Sequence, residues 1–97
     1  MSKIKAAVCH QFAESLQIET VELRTPLPNE IEVQLGAVAI CHSDIAFAEG
    51  LWGGALPAVY GHEAAGVVTE VGAAVRGISV GDHVVVTLIR ALSLIHI

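Results

Sequence analysis

No apolar stretch in this chain runs far before a glycine, a proline or a polar pair stops it, and that punctuation favours short strands over long helices. Ile4 to Cys9 is a short apolar strand, and Leu16 to Leu23 alternates apolar and polar side chains with a period of two. Thr25-Pro26-Leu27-Pro28-Asn29 makes a turn or loop. Glu30 to Ile40 resumes as a strand, with Ile31, Val33 and Leu35 on one side and Glu32 and Gln34 on the other; past Gly36 it is apolar throughout, as if entering the interior. His42 to Glu49 holds alanines but no glycine or proline and is expected to form one or two helical turns. A glycine-rich loop, Gly50 to Gly61, leads into Glu63 to Val71, where glycines 61, 66 and 72 mark bends or close backbone approaches. Gly81-Asp82 is a tight turn feeding a strand from Val84 to Leu88. These short strands with glycine-marked corners predict a mainly β fold with one short helix, a small, partly open β-barrel.

The 97 residues suit one small domain, and a hydrophobic share of 54% supplies apolar material for a core, which argues against disorder. Five Lys and Arg against 10 Asp and Glu give a net charge of -5. An acidic surface without a basic cluster excludes nucleic acid and anionic membrane as expected partners. The longest uncharged stretch, Gly50 to His62, is shorter than a membrane span and is broken by glycines. The apolar run after Met1-Ser2-Lys3-Ile4-Lys5 ends at His10-Gln11, too soon for a secretory signal, so the expected location is cytoplasmic. In that compartment Cys9 and Cys41 are not expected to pair, and Cys9 reads as a core thiol.

Two segments place polar residues where the pattern expects core: Cys41-His42-Ser43-Asp44 directly after an apolar strand, and Gly61-His62-Glu63 directly before one. A thiol and an imidazole at the inner ends of two strands can converge on one metal ion, and cysteine and histidine are donors that Zn(II) favours. Taken singly, each is as readily a buried thiol or a hydrogen-bonded core histidine.

The combination resembles a known family. Gly61-His62-Glu63-Ala64-Ala65-Gly66, followed after five residues by Gly72 and then by Val75, resembles the complete signature of zinc-dependent alcohol dehydrogenases of the medium-chain dehydrogenase/reductase superfamily. Cys41-His42-Ser43-Asp44 resembles their first zinc-ligand segment. The spacing of 21 positions from Cys41 to His62 matches that of the vertebrate enzymes, and the likeness runs from about Lys3 to Arg90.

The resemblance implies a GroES-like β-barrel and a catalytic zinc held by Cys41 and His62, with a third ligand much further along a longer chain. The two-cysteine, one-histidine ligand set is the standing property of these enzymes and is taken over with the resemblance. It further implies that Asp44 orients the ligand histidine, that Ser43 takes the alcohol proton, and that Glu63 stands behind the metal and approaches it during ligand exchange. His42 falls where some relatives set a basic residue against the cofactor pyrophosphate, and Trp52 where relatives line the substrate pocket. Ala46 departs from the pattern: many relatives have a histidine there that ends the proton relay. His10 and His83 read as solvated.

The implied activity is oxidation of a small alcohol to an aldehyde or ketone by hydride transfer to NAD or NADP, in a full-length enzyme expected to be a homo-oligomer. The nucleotide-binding Rossmann domain is absent from this chain: no Gly-x-Gly-x-x-Gly follows any strand. Residues 1–91 are therefore read as an incomplete GroES-like domain. Residues 92–97, Leu-Ser-Leu-Ile-His-Ile, are read as a non-native tail, because they match the in-frame translation of a transposon sequencing adapter. The 97-residue chain alone is expected to be inactive, to bind zinc weakly and to expose apolar strand. The competing readings are a zinc-less relative resembling quinone reductases, and a non-enzymatic GroES-like binding module.

Overall fold

A computed structural model describes residues 2–88. The proposed division between residues 91 and 92, and the tail beyond it, lie outside the described residues.

The strands form where β-branched and alternating segments were expected, in two separate antiparallel sheets. In the first, β1 (Ser2–Val8) pairs with β2 (Gln17–Leu23), with Ser2 opposite Leu23 and Val8 opposite Gln17. The second has the order β3-β4-β5: β3 (Ile31–Val38), β4 (Ala64–Val71) and β5 (His83–Val86). Among the described residues a single helix, α1 (His42–Glu49), lies between β3 and β4 in the chain and ends at Gly50 in the left-handed conformation. The mainly β architecture with one short helix and open sheets agrees with the sequence expectation.

The pairing of β3 with β4 shifts register twice, between Glu32 and Val33 and again between Leu35 and Ala37. Leu35 stands opposite Gly66, and Ala37 opposite the preceding residue Ala65, so Gly36 is an extra residue in β3. Such a bulge bends its strand. The residues beyond it were expected to enter the interior, yet Val38 is 55% and Ile40 78% exposed. The physical reason is the openness of the barrel. Both residues line a hollow of about 630 Å³ whose far wall is Ile4 and Ala6 of β1 and Leu16 before β2. The two sheets face each other across that space instead of interlocking.

The buried hydrophobic core is correspondingly small: Val8, Cys9, Ala46 and Val68 among the described residues. Cys9 is the buried thiol expected from sequence, and exchanges backbone hydrogen bonds with Ala58 (2.8 and 3.0 Å), tying the end of β1 to the loop before β4. Large apolar side chains such as Ile18, Leu51 and Val85 stay largely exposed, so the expected apolar surface is present. His10 is exposed as expected but makes a contact with the Glu19 carboxylate. His83 is exposed on β5. Among the described residues no helix is long and apolar enough to cross a membrane.

The turn before β3 is held by one carboxylate. Glu30 accepts from Arg24 Nη1 and Nη2 (2.7 and 3.1 Å) and from the Leu27 N–H (2.9 Å). The Arg24 guanidinium first, and then the Leu27 amide, hold the Glu30 carboxyl at about 2 against an ordinary 4.5. A folded value below the unfolded one means the contribution is complete above about 4.5 and is lost as pH falls towards about 2. Glu30→Gln should therefore flatten the acid limb of stability in that window, measured as midpoint temperature against pH. An unchanged acid limb would show that the clip does not contribute.

Candidate metal centre

The helix begins at the first sequence-selected residue. Cys41 is its N-cap, with extended backbone (φ -90°, ψ 150°), and Asp44 supplies the carboxylate that satisfies the cap: its Oδ2 accepts the Cys41 N–H at 3.1 Å. The Cys41 thiol thus sits at a helix N-terminus, where partial positive charge favours a thiolate. The Ser43 hydroxyl, the Ser43 backbone N–H and His62 hold the thiol below its ordinary value.

The second segment arrives through Gly61, whose φ of 144° lies in a region that L side chains rarely adopt. It delivers His62 beside α1. His62 Nδ1 lies 3.2 Å from Asp44 Oδ1, with the two side chains 20% and 15% exposed. The hydrogen bond with Cys41, opposed by burial and aided by the charges of Asp44 and Glu63, raises the His62 value. With Nδ1 turned to a carboxylate, Nε2 is the nitrogen left for another partner; the Glu63 Oε1 stands 3.6 Å from it.

Asp44 therefore holds two things with one carboxylate: the backbone of Cys41 through Oδ2 and the ring of His62 through Oδ1. One ligand atom each from Cys41, His62 and Glu63 lies within 4.8 Å of the others. Tetrahedral zinc with bonds of about 2.0–2.3 Å sets its donors roughly 3.3–3.8 Å apart, so modest side-chain movement would close this set around an ion. A thiolate, an imidazole and a carboxylate also suit that metal chemically.

Of the residues singled out from sequence, the fold brings together Cys41, Ser43, Asp44, His62 and Glu63. It leaves His42 exposed on the first turn of α1. Trp52 is 61% exposed and packs edge-on against Phe47, with ring centroids 4.8 Å apart; it lines neither of the two hollows that His62 borders. Sequence reasoning passed over Phe47 and Tyr60, whose rings stack at 5.8 Å. No periodicity joins a helix residue to one across the following loop, so only the adjacency of Tyr60 to Gly61-His62 could have drawn attention to it.

Comparison with known proteins agrees with this architecture. The family described as Alcohol dehydrogenase GroES-like domain matches residues 27–94. An alcohol dehydrogenase of Moraxella sp. (strain TAE123) is 44% identical over 83 residues, covering 84% of this chain and 25% of the relative. The crystal structure of an alcohol dehydrogenase zinc-binding domain protein from Burkholderia ambifaria superposes with a TM-score of 0.82 at 36% identity, over 84% of this chain and 22% of that one. Escherichia coli quinone oxidoreductase complexed with NADPH superposes at 0.73 with 37% identity, over 86% of this chain and 26% of that one. Fold and likeness together define a GroES-like domain of the oxidoreductase type. The chain belongs to the alcohol dehydrogenase family of medium-chain dehydrogenases, and it spans about a quarter of the length of the relatives it matches.

Proposed function

We propose that this chain carries part of the catalytic zinc site of an NAD(P)-linked alcohol dehydrogenase acting on small alcohols and aldehydes. The observation that carries the reading is the convergence of Cys41, His62 and Glu63, with Asp44 on the far nitrogen of the histidine. The similarity to a quinone oxidoreductase means that the fold does not decide between the two chemistries. The donor set is what favours the alcohol dehydrogenase, because a thiol, an imidazole and a carboxylate within 4.8 Å of one another suit zinc.

Cys41, His62 and Glu63 would hold the ion, and zinc bound there would supply Lewis acidity that favours loss of the alcohol proton. The protein's own groups do the rest. Asp44 fixes the ring of His62 and the backbone of Cys41. Ser43, beside Cys41 on the first turn of α1, accepts the alcohol proton. Ala46 offers no acceptor one turn further, so the proton leaves to water or to the cofactor ribose. Glu63, half exposed next to His62 Nε2, would be the carboxylate within reach of the ion during ligand exchange. His42, exposed on the first turn of α1, is the residue assigned to the cofactor pyrophosphate, whereas Trp52 lies outside both hollows beside His62 and is assigned no role in the pocket. Hydride goes to NAD or NADP bound by a domain outside this chain, in a cytoplasmic homo-oligomer.

The test is metal analysis of the full-length protein together with alcohol-dependent reduction of NAD and NADP. Bound zinc, with activity lost on chelation and restored by zinc, is the expected result; activity that survives complete zinc removal would overturn it. The 97-residue chain alone is expected to give no alcohol-dependent nucleotide reduction, since it carries neither a dinucleotide motif nor a full ligand set. Turnover by that purified chain would contradict this.

A further inference from the structure

The contact between Asp44 and His62 joins the two ligand-bearing segments at the N-terminal end of α1. At that same end the Ala39 N–H donates to the Glu63 carbonyl oxygen at 2.9 Å and the Cys41 thiol meets His62, so these ties act about one point. A second point of contact exists one helical turn further on, where Phe47 stacks on Tyr60 with centroids 5.8 Å apart and ring planes 15° from parallel. Asp44 and Phe47 are three residues apart and share a helix face. Tyr60 and His62 are two residues apart in the segment opposite, so two positions on the helix meet two positions on the lead-in to β4.

Both partners are braced from behind. Trp52 presses edge-on against Phe47, with the planes at 85°. The loop carrying Tyr60 is tied to the end of β1 by the reciprocal Cys9–Ala58 backbone hydrogen bonds. An offset stack against a supported ring resists both sliding and rotation. The reading of the site as a zinc centre involves neither ring.

We propose that the Phe47–Tyr60 stack is a positioning device for the metal centre, fixing the His62 segment against the helix that begins at Cys41 so that the donors stand ready before metal arrives. Phe47 and Tyr60 are positioning residues: they act through His62 and Cys41 and touch no ion. The stack on Phe47 is made by the ring of Tyr60, while its hydroxyl meets the buried Cys9 thiol. The inference rests on the zinc-site reading above.

The experiment is a Co(II) titration of the zinc-free full-length protein, followed by the thiolate-to-cobalt charge-transfer band and the visible ligand-field bands. Tyr60→Leu and Phe47→Leu should each weaken Co(II) binding roughly 10- to 100-fold, the range for removal of an outer support of a metal site, and should shift the ligand-field bands. Tyr60→Phe keeps the ring and should bind as the wild type does. Val68→Ala, in a core position 1% exposed on β4, serves as the control: it should lower thermal stability and leave Co(II) affinity unchanged. The inference falls if the leucine variants bind like wild type, if Tyr60→Phe is as weak as Tyr60→Leu, or if Val68→Ala weakens Co(II) equally. If the wild type itself gives no thiolate band, the zinc reading fails and takes the inference with it; a wild-type band with unaffected leucine variants overturns the inference alone.

Discussion

Cys41→Ala in the full-length protein is expected to abolish alcohol oxidation while leaving the domain folded. The thiol is the one soft, charged donor that this segment offers, and without it the described set shrinks to an imidazole and a carboxylate. Loss of a direct ligand should exceed the roughly 100-fold penalty that marks loss of an outer support. The fold should tolerate the change because the half of the capping box made by the Cys41 backbone N–H and Asp44 Oδ2 survives in alanine, and only the half accepted by the Cys41 side chain from the Asp44 N–H is lost. Zinc content, steady-state rate and midpoint temperature should thus separate: the first two collapse and the third stays close to wild type. A Cys41→Ala protein that still holds zinc and turns over alcohol would remove Cys41 from the site.

Gly66→Ala should be, with Gly72→Ala, among the most damaging single methyls in the described fold. A Cβ at that position would stand 2.1 Å from the Gln34 carbonyl oxygen and 2.9 Å from the Gln34 carbonyl carbon, both backbone atoms of β3. Backbone cannot swing aside as a side-chain end can, so β3 and β4 would have to separate in the middle of their ladder. Overpacking costs about 1–3 kcal/mol, and this contact belongs at the upper end or beyond. At roughly 4–8 °C per kcal/mol for a domain of this size, the midpoint should fall by more than about 10 °C. Gly36→Ala is the matched control: its Cβ would meet nothing nearer than the Ala65 oxygen at 3.8 Å, and it should shift the midpoint little. Similar losses in both variants would show that helix and strand propensity, not the close approach, governs these glycines. The signature glycine at position 66 thus reads as a packing requirement of the sheet that follows His62.

Much of the site was legible in the sequence because its residues are local. Cys41-His42-Ser43-Asp44 sits at a strand-to-helix junction, and a helix start carries its own signal: a capping carboxylate three residues on and no proline or glycine after it. His62 and Glu63 are set by the glycine before them and the β-branched strand after them. Short-range chemistry of this kind needs no knowledge of the rest of the chain. The strands, too, followed from period-two alternation and glycine corners.

Distances across the fold were not legible. The contact of Asp44 with the His62 ring was expected only through the family resemblance, since nothing in the composition of the loop from Gly50 to Gly61 fixes how far it folds back. The Phe47–Tyr60 stack depends on the same return of that loop. The bulge at Gly36 was marked by a glycine but its consequence was misread. Val38 and Ile40 look like core because they are apolar, yet they face a hollow, because hydrophobicity says that a side chain prefers burial and not whether a partner surface stands close enough to bury it. Sequence by itself therefore determined the strands, the helix and the side chains of the candidate site. Tertiary structure decided how near those donors stand, what braces them and which apolar residues find cover, since those depend on loop closure and on the separation of two sheets.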